Sequence, residues 1–256
     1  MRILMVGDII GRPGRRAVST LLPELRRELA LDLVIANGEN AAGGFGLTLE
    51  VAQELLRSGV DVITSGNHIW DQREIIPHLE REMPLLRPLN YPPSVPGRGV
   101  QLVNQVLVVN LQGRVFMDAV DCPFRAMDHL LEELKSRIPK VIVVDMHAEA
   151  TSEKQALGWY LDGRVSAVLG THTHVGTVDT RVLPQGTGFV TDVGMVGPLN
   201  SVIGTEVQVV LERFLTQTPR RFTVPGGPVR WDSVLVEVDE ETGKATGLQR
   251  FDRVVE

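Results

Sequence analysis

Five apolar runs in this chain each stop abruptly on a residue type that ligates metal ions. They are Ile3-Leu-Met-Val-Gly-Asp8, Leu33-Val-Ile-Ala-Asn-Gly-Glu-Asn40, Val60-Asp-Val-Ile-Thr-Ser-Gly-Asn-His68, Val141-Ile-Val-Val-Asp-Met-His147 and Val165-Ser-Ala-Val-Leu-Gly-Thr-His-Thr-His174. Short, continuous apolar runs are the pattern of strands covered on both faces, as in α/β proteins. Such sheets place their ligand crevice beyond the carboxyl ends of the strands, so five ends of this kind converge on one pocket.

The segments between the runs are amphipathic. Pro13 to Ala30 carries Val18, Leu21, Leu22, Leu25 and Leu29 at helical spacing, with Pro23 expected to break or kink the helix. Leu47 to Ser58 predicts a second helix stopped by Gly59. Ser152-Glu-Lys-Gln155 has the form of a capping box, which places a helix start within one turn of His147. Val100 to Leu111 predicts an antiparallel or edge pair, the stretch after Val202 a helix, and Val234 to Phe251 a hairpin around Glu240-Glu-Thr-Gly243.

Composition narrows the class. The 256 residues are 43% hydrophobic and no Gly/Ser/Pro tract divides them, so one domain over 1–256 is expected. No apolar run is long enough to span a bilayer, and Asp8 interrupts the first too early for a signal peptide; a cytoplasmic protein without membrane contact is expected. The single cysteine, Cys122, leaves no internal disulfide and no thiolate-built zinc site, so metal ligands must be nitrogen and oxygen. A net charge of −6 with scattered basic residues argues against an extended nucleic-acid surface. Arg12, Arg15 and Arg16 are read as a solvated helix face, and His78 and His129 are given no role.

Asp8, Glu39, Asn40, Asn67, His147, His172 and His174 offer three imidazoles, two carboxylates and two amide oxygens, about what two transition-metal ions require. Glu39 has an oxygen for each ion. His172 and His174 point the same way if the loop is extended, one imidazole per metal. Such a pair of ions generates hydroxide at neutral pH and clamps the oxygens of a phosphoryl group, which makes phosphoester hydrolysis the expected chemistry.

The ordered blocks Gly-Asp8, Gly-Glu39-Asn40, Gly-Asn67-His68, His147 and Thr-His172-Thr-His174 resemble the five signature blocks of the calcineurin-like metallophosphoesterases. Gly7-Asp-Ile-Ile-Gly-Arg-Pro-Gly14, Asn37-Gly-Glu-Asn-Ala-Ala-Gly-Gly44, Gly66-Asn-His-Ile-Trp-Asp71, His147-Ala-Glu-Ala-Thr-Ser-Glu-Lys154 and Asp192-Val-Gly-Met195 resemble the YmdB-like branch of bacterial phosphodiesterases over nearly the whole chain. Two features depart from the broad superfamily: Ile10 stands where a histidine is usual, with Asn40 able to fill that place, and Glu39 replaces the usual bridging aspartate. The YmdB-like branch shares both. The resemblance implies an α/β fold, a four-layer α/β/β/α sandwich of two mixed sheets flanked by helices. It also implies iron or manganese, with zinc an alternative, and hydrolysis of 2′,3′- and 3′,5′-cyclic nucleotides. Carried over residue by residue, one metal takes Asp8, Glu39, Asn40 and His174, the other Glu39, Asn67, His147 and His172, and His68 is the acid that protonates the leaving oxygen.

Two other readings stay open at this point: a phosphomonoesterase acting on nucleotides or phosphoproteins, and a metal-stabilised regulatory protein that senses a nucleotide. Glu149, Thr151 and Lys154, close after His147, are read as helix-starting residues. The expected partner is a small-molecule phosphodiester, and a homo-oligomer is compatible with the sequence.

Overall fold

Strands that are apolar at every position must be covered on both faces, and the sheets of this chain are stacked to do so. The structure, a computed structural model, describes residues 1–80 and 83–256. Its first sheet has the order β14 (Ala245–Arg250), β13 (Ser233–Val238), β1 (Arg2–Val6), β3 (Leu33–Asn37), β4 (Val62–Thr64). The pairs β1–β3 and β3–β4 are parallel, and β13 runs antiparallel to both β1 and β14. The second sheet has the order β5 (Val100–Val103), β6 (Val106–Gln112), β7 (Val141–His147), β8 (Ala167–Thr171), β10 (Gly188–Val190), β9 (Arg181–Val182), antiparallel only at its two edges.

Alternation along each strand divides the core into three seams. Ile3, Met5 and Ile35 of the first sheet meet Val108, Val143 and Leu169 of the second. Leu4, Val6 and Val34 turn the other way, onto α1 (Gly11–Glu28) and α2 (Leu49–Arg57). Val109, Val144 and Val168 pack on α3 (Pro123–Leu134) and α4 (Thr151–Tyr160). The result is the expected α/β/β/α stack.

A third, four-stranded sheet extends the first: β15 (Arg253–Val255), β12 (Val229–Trp231), β11 (Met195–Pro198) and β2 (Asp8–Ile9). Strand β2 follows β1 after Gly7 alone, and β12 precedes β13 by Asp232 alone. Where β1 and β13 part, β11 enters between β2 and β12. The Gly7 N–H donates to the Asp232 carbonyl at 3.1 Å and the Asp8 N–H to the Gly194 carbonyl at 3.0 Å. A Cβ on Gly7 would collide with that Gly194 carbonyl, so the split requires glycine there and delivers Asp8 to the sheet end.

Two local expectations are corrected. Helix α1 runs through Pro23 without ending, because its stripe of Val18, Leu22 and Leu25 is locked onto the sheet. No capping box forms on α4: Ala150 is its N-cap without a side-chain bond, and Glu153 instead accepts from the backbone N–H groups of Arg114 and Val115 at 3.0–3.1 Å. The β5–β6 and β13–β14 antiparallel pairs and a helix, α5 (Val207–Thr216), lie where the sequence places them. No helix among the described residues is long and apolar enough to cross a membrane.

Candidate metal centre

A polar layer closes the seam between the two main sheets at their carboxyl ends. Continuing the inward-facing alternation of β3, β6 and β7 brings Asn37, Asn110, Asp145 and His147 together. Asn110 exchanges two hydrogen bonds of 2.9 Å with the backbone of Ser65, pinning the loop after β4. Asp145 is fully buried and accepts from Thr64, Thr171 and Asn37; burial pushes its carboxyl up despite these donors. Thr171 spends its hydroxyl proton on Asp145 and so accepts from His147 Nδ1 at 2.9 Å. That turns His147 Nε2 outward, toward the strand ends.

Three further donor atoms surround this nitrogen: His172 Nδ1 at 3.0 Å, Glu39 Oε1 at 3.1 Å and Asn67 Oδ1 at 3.2 Å. Donors bonded to one metal at about 2.0–2.2 Å stand about this far apart. A second group shares Glu39. The Asn40 amide lies 3.2 Å from both Glu39 Oε1 and His174 Nε2, and His174 Nε2 lies 3.7 Å from Asp8 Oδ1. That Asp8 oxygen is buried and finds no hydrogen-bond donor among the described residues. Asn40 turns its amide nitrogen inward, and a half-turn of the amide presents the oxygen that ligation requires.

Each imidazole has one nitrogen tied and the other turned to the cluster, the arrangement that supports metal ligation. His174 Nδ1 donates to the Ile203 carbonyl at 2.8 Å, and His172 Nε2 faces Glu149 Oε2 at 3.2 Å. The two residues reach this arrangement in left-handed backbone, φ +100° for His172 and +63° for His174, not in the extended loop expected. The buried Lys154 and Asp192 enforce it. Lys154 Nζ lies 2.6 Å from Asp192 Oδ2, which also accepts from the Thr173 backbone and hydroxyl at 3.2 and 2.8 Å. Lys154 is therefore an anchor of the histidine loop and not a helix-starting residue. Gly66 has a similar purpose: a Cβ there would collide with the His147 ring.

The electrostatics are those of crowded anions with too few positive charges. Burial pushes the Asp8 carboxyl up to about 6, against the pull of His174 and His147. Burial would also raise Glu39, but His147 and His68 outweigh it and hold that carboxyl at about 2. Burial likewise opposes charge on His147, yet Glu39, Asp8 and Asp145 raise it to about 9. Burial and the neighbouring His147 depress His172 to about 3, leaving a neutral imidazole. Buried oxygen and nitrogen donors, one carboxylate oxygen without a hydrogen-bond donor among the described residues, and imidazoles fixed from behind together fit divalent transition metals.

His68 stands apart from these donors. Its backbone N–H donates to Glu39 Oε2 at 3.1 Å, whereas its ring pairs with Asp71 through Nδ1 at 2.8 Å and meets the Phe45 ring edge-on at 5.1 Å. It lines a cleft of about 290 Å³ above Glu39, Asn40, His172 and His174. No lysine or arginine is among the described residues lining that cleft. Arg15 is occupied elsewhere, bonding Glu54 at 2.8 Å and the Ala41 carbonyl at 2.6 Å.

A family model described as YmdB-like protein matches residues 4–251. The chain belongs to the YmdB-like family. That family is part of the metallophosphoesterase superfamily. A relative from Bacillus subtilis (strain 168), named 2′,3′-cyclic-nucleotide 2′-phosphodiesterase, is 46% identical over 98% of this chain and 96% of its own. A crystal structure described as a hypothetical protein from Thermus thermophilus superposes with a TM-score of 0.93 at 46% identity, covering 99% of both chains. Another, described as a novel phosphatase of Mycoplasma pneumoniae, gives a TM-score of 0.93 at 34% identity over 99% of this chain and 93% of its own.

The sequence does not assign Asp71, Glu149, Lys154 or Asp192 a part in the centre. Asp71 had a signal, since it lies three residues after His68 in a single helical turn and so on the same face. Glu149 lies two residues beyond His147. Lys154 and Asp192 each lie in a motif quoted above, but no local pattern shows that they pair, since only the fold joins them.

Proposed function

We propose that the chain is a single-domain, binuclear metal-dependent phosphodiesterase that hydrolyses cyclic nucleotides, 2′,3′-cyclic ones first. The observation that carries this reading is Glu39, which places one carboxylate between two groups of donors spaced as metal ligands are. In it Asp8, Glu39, Asn40 and His174 hold one ion, and Glu39, Asn67, His147 and His172 the other; iron or manganese suits this mixture of nitrogen and oxygen better than zinc. When bound, such ions supply Lewis acidity at the phosphoryl oxygens and lower the pKa of water. The protein's own part is to orient and to move a proton. Asp71 fixes the His68 ring through Nδ1, leaving Nε2 to hand a proton to the departing ribose oxygen. Phe45 packs against the same ring and shields it on one side.

The B. subtilis relative's name supports this substrate class. The charge of the cleft supports diesters over monoesters, because a monoester dianion calls for positive charge beyond the metals and no lysine or arginine among the described residues lines the cleft. The His68–Asp71 pair argues against a purely sensing protein, since binding alone needs no oriented proton donor. With manganese supplied, kcat/KM is expected to be higher for bis-p-nitrophenyl phosphate and adenosine 2′,3′-cyclic phosphate than for p-nitrophenyl phosphate. A higher value for the monoester would make the protein a phosphomonoesterase.

A further inference from the structure

We infer that the mouth of the cleft is a nucleobase slot and that Phe45 is its stacking platform, a conclusion that rests on the phosphodiesterase reading above. Phe45 is 38% exposed although it sits directly beside His68, so a large apolar ring is held open to the cleft. Full burial of such a ring would stabilise the fold. The loop that carries it is built to forgo this. Gly43, Gly44 and Gly46 take φ values of +72°, +105° and +75°, conformations that L side chains rarely adopt, and the Gln72 amide donates to the Phe45 carbonyl at 3.0 Å. The ring is thereby fixed at the rim without being covered.

More of the cleft lining comes from the long excursion between β11 and β12. Phe222, Val224 and Ile203 line it, and Gly44 approaches Val224 so closely that a Cβ would need that side chain to move. The cleft thus joins the polar donors of the centre to the apolar and aromatic side chains of Phe45, Phe222, Val224 and Ile203, with no lysine or arginine among the described lining residues to hold a second phosphate. The matching substrate has one phosphoryl group joined to a flat, uncharged ring system. A nucleoside cyclic phosphate has that shape, and stacking accepts any base because each has a π-face.

The test uses the manganese-loaded protein and its Phe45→Ala and Phe45→Trp variants, with adenosine 2′,3′-cyclic phosphate and base-free ribose 2′,3′-cyclic phosphate as substrates. Loss of a base–aromatic stack is expected to lower kcat/KM for the nucleoside ester roughly 5- to 150-fold more than for the base-free ester in Phe45→Ala. The selective loss should lie mainly in KM, and Phe45→Trp should restore it. Equal changes on both esters would overturn the slot, as would a wild-type protein that processes the base-free ester as well as the nucleoside one; both leave the hydrolase reading intact. A metal-loaded wild-type protein that hydrolyses neither ester would overturn the phosphodiesterase reading and the slot with it.

Discussion

His68 and Glu39 are 29 residues apart in the chain yet joined by a 3.1 Å bond from the His68 backbone, so the proposed acid and the proposed bridging carboxylate are set by one contact. In the proposed mechanism this separates the roles: the backbone of His68 serves the metal centre, its ring the leaving group. For His68→Asn, a rate loss of about 10²- to 10⁴-fold is expected with a ribose leaving oxygen. A much smaller loss is expected for p-nitrophenyl esters, whose phenolate departs without a proton. Asp71→Asn should show the same leaving-group dependence with a smaller loss, because it removes only the residue that orients the ring. Metal content should be unchanged in both, and a His68→Asn protein without metal would make His68 part of the metal shell. Asp8 supplies a pH dependence. Its folded value of about 6 lies above its ordinary 3.8, so ionising it costs the metal-free fold stability as pH rises from about 4 to 6. A bound cation removes that cost, and below pH 6 the proton competes for the carboxylate. Manganese is therefore expected to raise Tm at pH 7.5 and to raise it less at pH 5; an equal or larger increment at pH 5 would remove Asp8 from the metal site.

At the scale of elements, the loop after β8 depends on a helix that does not touch the ions in the proposed arrangement. Lys154 on α4 is fully buried and its ammonium reaches Asp192, whose other bonds hold Thr173 between the two histidines and the N–H of Gly194. Lys154→Met leaves a buried carboxylate without its partner, which costs on the order of 3–5 kcal/mol. A fall in Tm on the order of 10 °C is expected for a chain of this size. With Asp192 no longer held by Lys154, the loop should also bind manganese about 10- to 100-fold more weakly in titrations of the folded protein. Unchanged manganese affinity would show that the pair supports the fold but does not position the histidines. The sequence marks both histidines through their place after an apolar run, but not their left-handed backbone, because that conformation is imposed by a long-range ion pair. Ser152 and Gln155 have the spacing of a capping box, yet the helix starts at Thr151 with Ala150 as its N-cap, so Ser152 lies inside it and the box does not form, while Glu153 accepts from the Arg114 and Val115 amides.

For the whole molecule, the four layers are legible because every inner strand is apolar on both faces and every outer helix on one. The split of the outer sheet is not, since it depends on β11, a four-residue strand that enters beside Asp8 only once Gly7 and Gly194 approach. The seven proposed ligands were legible as strand ends and gather as two groups sharing Glu39. Their supports from behind, Thr171, Asp145, Glu149 and the Ile203 carbonyl, come from distant segments and emerge only with the fold. The central claim is that these groups hold two ions on which the reaction depends. Elemental analysis of the purified protein, paired with activity before and after chelation, measures this directly. About two transition-metal ions per chain are expected, with activity lost in chelator and recovered on adding manganese. Glu39→Gln should deplete both ions, whereas His174→Ala should deplete mainly one. Undiminished activity in a chelated protein without metal, or a Glu39→Gln protein that keeps both ions, would contradict it.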